Sequence, residues 1–116
     1  MKYPNITNHK RLSEKDIIVH LHILKEIIYF NGHFDGLAVL PGVVQVDWVM
    51  FYAEKYFQIS KNNYSKIENM KFSTIITPDI VVMLRLTLDE EADSIHFNYY
   101  SDKGISYSLG KIKKGL

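Results

Sequence analysis

The feature that most constrains this fold is the segment from Pro41 to Phe57, which has no helix breaker after its first two residues and is apolar on almost every side. Pro41 suits the first turn of a helix, where its missing N–H costs no hydrogen bond. Seventeen residues at about 1.5 Å each give a helix roughly 25 Å long. A helix that is hydrophobic nearly all round is buried on several sides. In a chain of 116 residues, the remaining sequence must therefore wrap this helix.

The sequence on either side of this helix is typical of β-strands. Residues 17–24, IIVHLHIL, alternate with period two and are rich in β-branched side chains, and residues 25–30 extend this strand after a bend. Further strand patterns follow the helix, at about 64–76, 79–88, 93–101 and 104–112. The sequence therefore predicts a single α+β domain over residues 1–116, with one central helix wrapped by a curved antiparallel sheet of about five strands.

Composition and charge exclude several classes of protein. The formal net charge of +1 provides no field for nucleic acid or for an anionic membrane surface. The chain has no cysteine, which excludes disulfides and thiolate catalysis and fits a reducing compartment. No run of about 18 apolar residues could span a membrane, and the N-terminus lacks the apolar core of a secretory signal. We therefore expect a cytoplasmic protein.

Residues 32–48, GHFDGLAVLPGVVQVDW, contain the groups that indicate chemistry. Asp47 borders the apolar side of the helix, where a carboxylate needs a partner or a raised pKa. His33 lies in a glycine-flanked loop and titrates in the range of a general base. Gly42 leaves a bare backbone N–H at the positive end of the helix, which suits a carbonyl oxygen that gains negative charge. On this chemistry alone, His33 as a loop residue that bonds backbone and Asp47 as a solvent-facing residue stay open alternatives.

Metal chemistry has weaker support in the sequence. His20 and His22 are two residues apart and so share one face of the predicted strand. A catalytic zinc site uses three protein ligands, and no third ligand is evident. The acidic run at residues 89–93, DEEAD, lacks the alternating ligands of a calcium loop. We therefore expect neither a metal nor a bound cofactor.

The segment at residues 32–48 resembles the active-site segment of the 3-hydroxyacyl-ACP dehydratases of the FabZ and FabA type, which adopt the hotdog fold. The family pattern is Gly-His-Phe-x-Gly, then a hydrophobic residue before Pro-Gly, then an acidic residue five positions after that glycine. The residues that meet the pattern are Gly32, His33, Phe34, Gly36, Leu40, Pro41, Gly42 and Asp47. The tryptophan after the acid, in VQVDW, resembles the small aryl-polyene-type, ApeI-like dehydratases.

This resemblance implies a reversible dehydration of a 3-hydroxyacyl thioester, carried on acyl carrier protein or on coenzyme A, to the trans-2-enoyl thioester. His33 would remove the C2 proton, and Asp47 would assist departure of the C3 hydroxyl. Gly42 and Val43 would bind the thioester oxygen and the substrate, and Phe34 and Gly36 would belong to the binding loop. In the family the histidine and the acid of one site come from two subunits. The resemblance therefore implies a homodimer, or an assembly with a related hotdog subunit.

Three departures from the family pattern bear on rate and substrate. Asp35 stands where the family usually has proline, and a second carboxylate there favours the charged form of His33. The acid is aspartate, where most FabZ-like members use glutamate, and Phe51 replaces a common glutamine.

Two alternative functions stay open, a hotdog thioesterase and a non-catalytic acyl-binding subunit. The His33 motif counts against the thioesterase, and Asp35 keeps the non-catalytic subunit open.

Overall fold

The computed structural model describes residues 1–30 and 38–115. Within this part of the chain there are six β-strands and one α-helix. The strands are β1 (Asn5–Ser13), β2 (Asp16–Ile23), β3 (Tyr64–Phe72), β4 (Ile80–Asp89), β5 (Ser94–Tyr100) and β6 (Ser106–Lys114). The helix is α1 (Gly42–Phe57), and short 3-10 turns occupy Ile28–Phe30 and Lys61–Asn63. The prediction of an α+β fold built on one long helix is confirmed.

All six strands form one antiparallel sheet in the order β1-β2-β4-β5-β6-β3. The period-two pattern decides which side of the sheet faces the helix, because successive side chains of a strand point to opposite faces. In β2 the inward positions are completely buried: Ile17, Val19, Leu21 and Ile23. Strands β1 and β3 form the two edges of the sheet.

The sheet buries one side of α1 and leaves the other side open. Trp48, Val49 and Ala53 have no exposed surface and pack into the core. Val43, Asp47 and Phe51 are spaced four residues apart, so they share one face, and all three are exposed. The side chain of Val43 is 77% exposed. The six strands of a single chain therefore cover one side of the helix and leave the face of Val43, Asp47 and Phe51 exposed.

The N-terminal segment fixes α1 against the rest of the chain. The Trp48 indole Nε1 donates a hydrogen bond to the carbonyl oxygen of Lys2 at 3.1 Å. The Tyr3 ring stacks on the Phe51 ring, with centroids 3.9 Å apart and planes 18° from parallel. At the C-terminal end of the helix, the Arg11 guanidinium donates to the Tyr56 carbonyl oxygen at 2.8 Å, where a cation also complements the helix dipole. The helix is thus held near its middle and at its C-terminal end.

The number of strands and two boundaries differ from the sequence prediction. The sheet has six strands rather than about five, because β1 was not predicted: its sequence, NITNHKRLS, is polar and eight of its nine residues are exposed. Residues 25–30 form a turn that includes a 3-10 helix instead of extending β2. Strand β3 ends at Phe72 and not near residue 76. No helix in the described ranges is long and apolar enough to cross a membrane.

Candidate active site

Two backbone donors at the start of α1 have no backbone acceptor among the described residues. Pro41 precedes the helix in an extended conformation, with φ −60° and ψ 146°, and its carbonyl oxygen accepts from the Val44 and Gln45 N–H groups, both at 3.1 Å. The N–H groups of Gly42 and Val43 lie in the first turn, where a helix supplies no carbonyl partner. Across residues 1–30 and 38–115, no backbone carbonyl outside the helix accepts from them. They therefore remain available to an oxygen of a bound molecule.

The end of β3 lies directly against this helix terminus. A Cβ atom placed on Gly42 would lie 2.6 Å from Cζ of Phe72 and 2.9 Å from its Cε1. Both distances are far below an ordinary carbon–carbon contact of about 3.5–4.0 Å. Any side chain at position 42 would therefore have to displace the Phe72 ring, which is 51% exposed. The packing explains why the residue after Pro41 is glycine.

A cavity of about 370 Å³ opens beside the start of the helix. Its lining is largely apolar and includes Leu40, Gly42, Phe72 and Ile75, with Gln45 as a polar member. Apolar clefts with a few placed polar groups are the usual form of small-molecule sites. The position of this cavity beside the Gly42 backbone makes it a candidate site for part of a substrate.

Asp47 lies on the open side of α1 and not in the core of the chain. It is exposed and shares a second cleft with Val43, Met50 and Lys61. The ion pairs of the described residues do not include Asp47. A carboxylate on a mostly apolar, uncovered helix face would become buried only if another molecule packed there.

The structure places three of the six predicted site residues and brings them together on one helix end. Gly42 and Val43 start α1, and Asp47 lies one turn after Val43 on the same face. The other three, His33, Phe34 and Gly36, lie outside the described residues. The roles of all six residues, and the distance between His33 and Asp47, stay predictions.

The sequence interpretation did not include a buried polar network next to these residues. Gln45 is only 3% exposed. Its side-chain Nε2 donates to the Leu40 carbonyl oxygen at 3.2 Å, and its Oε1 accepts from Ser108 Oγ at 2.7 Å. Its backbone carbonyl oxygen accepts from the Tyr99 hydroxyl at 2.7 Å. The one indication in the sequence is a glutamine inside an otherwise apolar helix turn.

Tyr99 remains a hydrogen-bond donor at every ordinary pH. Complete burial raises the pKa of its hydroxyl well above the usual value, and Tyr52 and the negative charge of Asp47 raise it further. In the described ranges, no cluster of three or more His, Asp or Glu side chains could hold a metal ion. His20 and His22 lie on the face of β2 away from the core.

Comparisons with known proteins agree on one family. A family model described as ApeI-like, the ApeI dehydratase, matches residues 8–111. The dehydratase heterocomplex ApeI:P from Xenorhabdus doucetiae is 31% identical with a TM-score of 0.84, and the match covers 97% of each chain. An uncharacterized protein from Erwinia carotovora subsp. atroseptica is 33% identical with a TM-score of 0.79, covering 95% of this chain and 94% of that one. A search of curated proteins gave no match.

More distant structures share the fold. A variant of the PpsC dehydratase domain from Mycobacterium tuberculosis has a TM-score of 0.75 at 14% identity. The match covers 100% of this chain but only 45% of that domain. The predicted hotdog fold is thus confirmed, with six strands. The predicted similarity of the chain to ApeI-like dehydratases is confirmed as well.

Proposed function

This chain belongs to the ApeI-like dehydratase family, and on that premise we propose that its substrate is carried on the phosphopantetheine arm of an acyl carrier protein. The chain is a dehydratase, a lyase that acts on a 3-hydroxyacyl thioester. The observation that carries this function is the family match over residues 8–111. It favours dehydration over the thioesterase and the non-catalytic subunit. We propose that coenzyme A thioesters are the secondary substrates and that no metal or bound cofactor takes part.

In the proposed reaction, His33 removes a proton from C2 and the electron pair forms the C2–C3 double bond. The C3–O bond breaks, and Asp47 donates a proton so that the hydroxyl leaves as water. The Gly42 N–H donates a hydrogen bond to the thioester oxygen while negative charge develops on it, and Val43, Phe34 and Gly36 line the binding site. The N–H groups at the start of α1, for which the described residues supply no backbone acceptor, and the cavity beside them support this arrangement.

We propose that the working enzyme contains two hotdog subunits. In the single chain, Asp47 lies on an open helix face beside Val43 and Phe51, and this face needs a cover. The similar ApeI:P structure is a heterocomplex, which favours a related partner subunit over a homodimer. The PpsC domain is more than twice as long as the region matched here, so it has room for a second unit of this size. Sedimentation of the chain alone and with a related subunit separates the two assemblies.

An acidic carrier would meet the basic residues near the Asp47 cleft. Two basic residues are already paired: Arg85 is held by Asp16 at 2.7 Å, and Lys66 is 3.7 Å from Glu68. Lys61 lines the Asp47 cleft, and within the described residues Lys55, Lys61 and Lys71 form no ion pair with a carboxylate. We therefore propose that Lys61 contacts the carrier. We also propose that the enzyme acts in the cytoplasm.

The test follows the absorbance of the conjugated enoyl thioester formed from a short 3-hydroxyacyl carrier protein, with the related subunit present. We expect His33→Ala and Asp47→Asn each to lower the rate by about two orders of magnitude, the scale of a lost general acid or base. The matched controls are His20→Ala, on the outer sheet face, and Glu91→Gln, in an exposed turn. Equal rates for Asp47→Asn and Glu91→Gln would contradict the proposed acid.

A further inference from the structure

The Gln45 carboxamide is buried, and the hydrogen bonds of this residue join the start of the helix to strands β5 and β6. Its Nε2 holds the carbonyl oxygen of Leu40, two residues before Gly42. Its Oε1 is held in turn by Ser108 of β6. A buried amide that is satisfied at both ends is locked in one orientation, because turning it would leave buried groups without partners.

Leu40 is held from two sides. Its N–H donates to the Ile76 carbonyl oxygen at 2.8 Å, and its own carbonyl oxygen accepts from Gln45 at 3.2 Å. The Leu40 carbonyl belongs to the same rigid peptide plane as the nitrogen of Pro41. The Gln45 amide therefore holds this plane, while the loop before β4 holds the preceding plane, which contains the Leu40 N–H.

The next peptide plane contains the Gly42 N–H. The pyrrolidine ring fixes φ of Pro41, here at −60°, so only ψ of Pro41 lies between the two planes. The Pro41 carbonyl oxygen, in the plane of the Gly42 N–H, accepts from two helix N–H groups. The direction of the Gly42 N–H thus depends on where Gln45 holds Leu40.

We propose that Gln45 is a positioning residue of the dehydratase, which aims the Gly42 N–H at the thioester oxygen by anchoring the Leu40 carbonyl to the sheet. The inference rests on the proposed function, in which Gly42 is the donor. The anchor of the amide comes from Ser108 of β6, whereas Tyr99, which pairs with Ser108 on the neighbouring β5, bonds only the backbone carbonyl of Gln45. The sheet and the helix start therefore form one hydrogen-bonded unit.

Three variants separate this role from a purely structural one. Gln45→Met keeps the length of the side chain and removes both of its hydrogen bonds. Ser108→Ala removes only the support of the amide, at a residue that does not line the 370 Å³ cavity. Tyr99→Phe is the matched control: it also deletes a buried hydrogen bond to Gln45, but at the backbone carbonyl, which sits inside the helix ladder.

Loss of an oxyanion donor lowers kcat by roughly 10²–10³-fold, and a donor that is misaimed but present retains part of this effect. We expect kcat to fall about tenfold in Gln45→Met and about threefold in Ser108→Ala, with KM within about twofold. Tyr99→Phe should lower the melting temperature and keep kcat within about twofold. A kcat that follows the melting temperature across all three variants would overturn the proposal. So would a Gln45→Met variant that changes KM alone, since that marks a substrate contact.

A second measurement does not depend on the reaction. In the ¹⁵N-labelled wild-type chain the Gly42 amide gives its own resonance, and we expect it to move in Gln45→Met and Ser108→Ala but to stay in place in Tyr99→Phe. An unmoved resonance with an active wild type would refute the positioning role and leave the proposed function intact. If the wild type is inactive and the Gly42 resonance still moves in Gln45→Met and Ser108→Ala, the result would refute the proposed function instead. If Gln45→Met does not fold, Ser108→Ala decides: an unchanged kcat and resonance overturn the proposal.

Discussion

The contact between Gly42 and Phe72 gives the sharpest stability prediction. An alanine Cβ at position 42 would lie 2.6 Å from Cζ of Phe72, so it lacks about 1 Å of the usual contact distance. Overpacking of this kind costs about 1–3 kcal/mol, although the half-exposed Phe72 ring can move partly aside. Replacing glycine within a helix gains about 0.5–1 kcal/mol. We expect Gly42→Ala to destabilise the wild-type chain by about 1 kcal/mol.

The same substitution should change sign when the ring is absent. The three atoms nearest to the new Cβ all belong to the Phe72 ring, so Phe72→Ala removes the crowding that they cause. Gly42→Ala should then be neutral or stabilising by up to about 1 kcal/mol. Urea unfolding of the wild type, both single variants and the double variant measures the coupling energy, which we expect to exceed about 1 kcal/mol. An equal loss of stability in both backgrounds would refute the steric explanation of this glycine.

Three further predictions concern the contacts that hold the sheet and the helix. The hydrogen bond from Arg85, together with the charge of Arg85 and the hydrogen bond from Thr87, outweighs burial and lowers the pKa of Asp16. The stability that this pair contributes should be present above about pH 4 and be lost as pH falls through the lower folded pKa. Urea unfolding at pH 2–6 should show that Asp16→Asn removes this dependence of stability on pH, which is worth under about 1 kcal/mol. Trp48→Phe should cost about 1–3 kcal/mol in urea unfolding, because the N-terminal segment loses its buried donor; a value near zero would show that this bond does not matter. Phe51→Gln and Tyr3→Ala should show a coupling energy of about 0.5–1.5 kcal/mol, since each removes the same ring stack, and additive losses would contradict that contact.

The sequence predicted the parts of the fold that depend on local periodicity. The period-two patterns located β2, β4, β5 and β6 within a few residues, and the apolar run after Pro41 located α1. β1 was not predicted because it is an edge strand. Its backbone pairs with β2 while its side chains face solvent, so no apolar alternation marks it.

The candidate site also has one part that the sequence predicted and one part that it did not. The motif around His33, Gly42 and Asp47 is contiguous, so its resemblance to the dehydratase family could be recognised in the sequence, while the roles of its residues stay predictions. The hydrogen bonds by which Ser108 and Gln45 hold the Leu40 carbonyl could not be inferred. Gln45 and Ser108 are 63 residues apart and meet only when β6 is in register beside β5.

The open face of α1 is likewise a property of the tertiary structure. The sequence shows an apolar helix with a carboxylate in it, and it does not show which side the sheet covers. The sheet of one chain buries Trp48 and Ala53 and leaves Val43 and Asp47 exposed. The periodic pattern of apolar side chains involves residues that are close in the chain, so the sequence by itself determines it. Coverage depends on how far a sheet of given twist and width can curve around a helix, and only the assembled fold determines that.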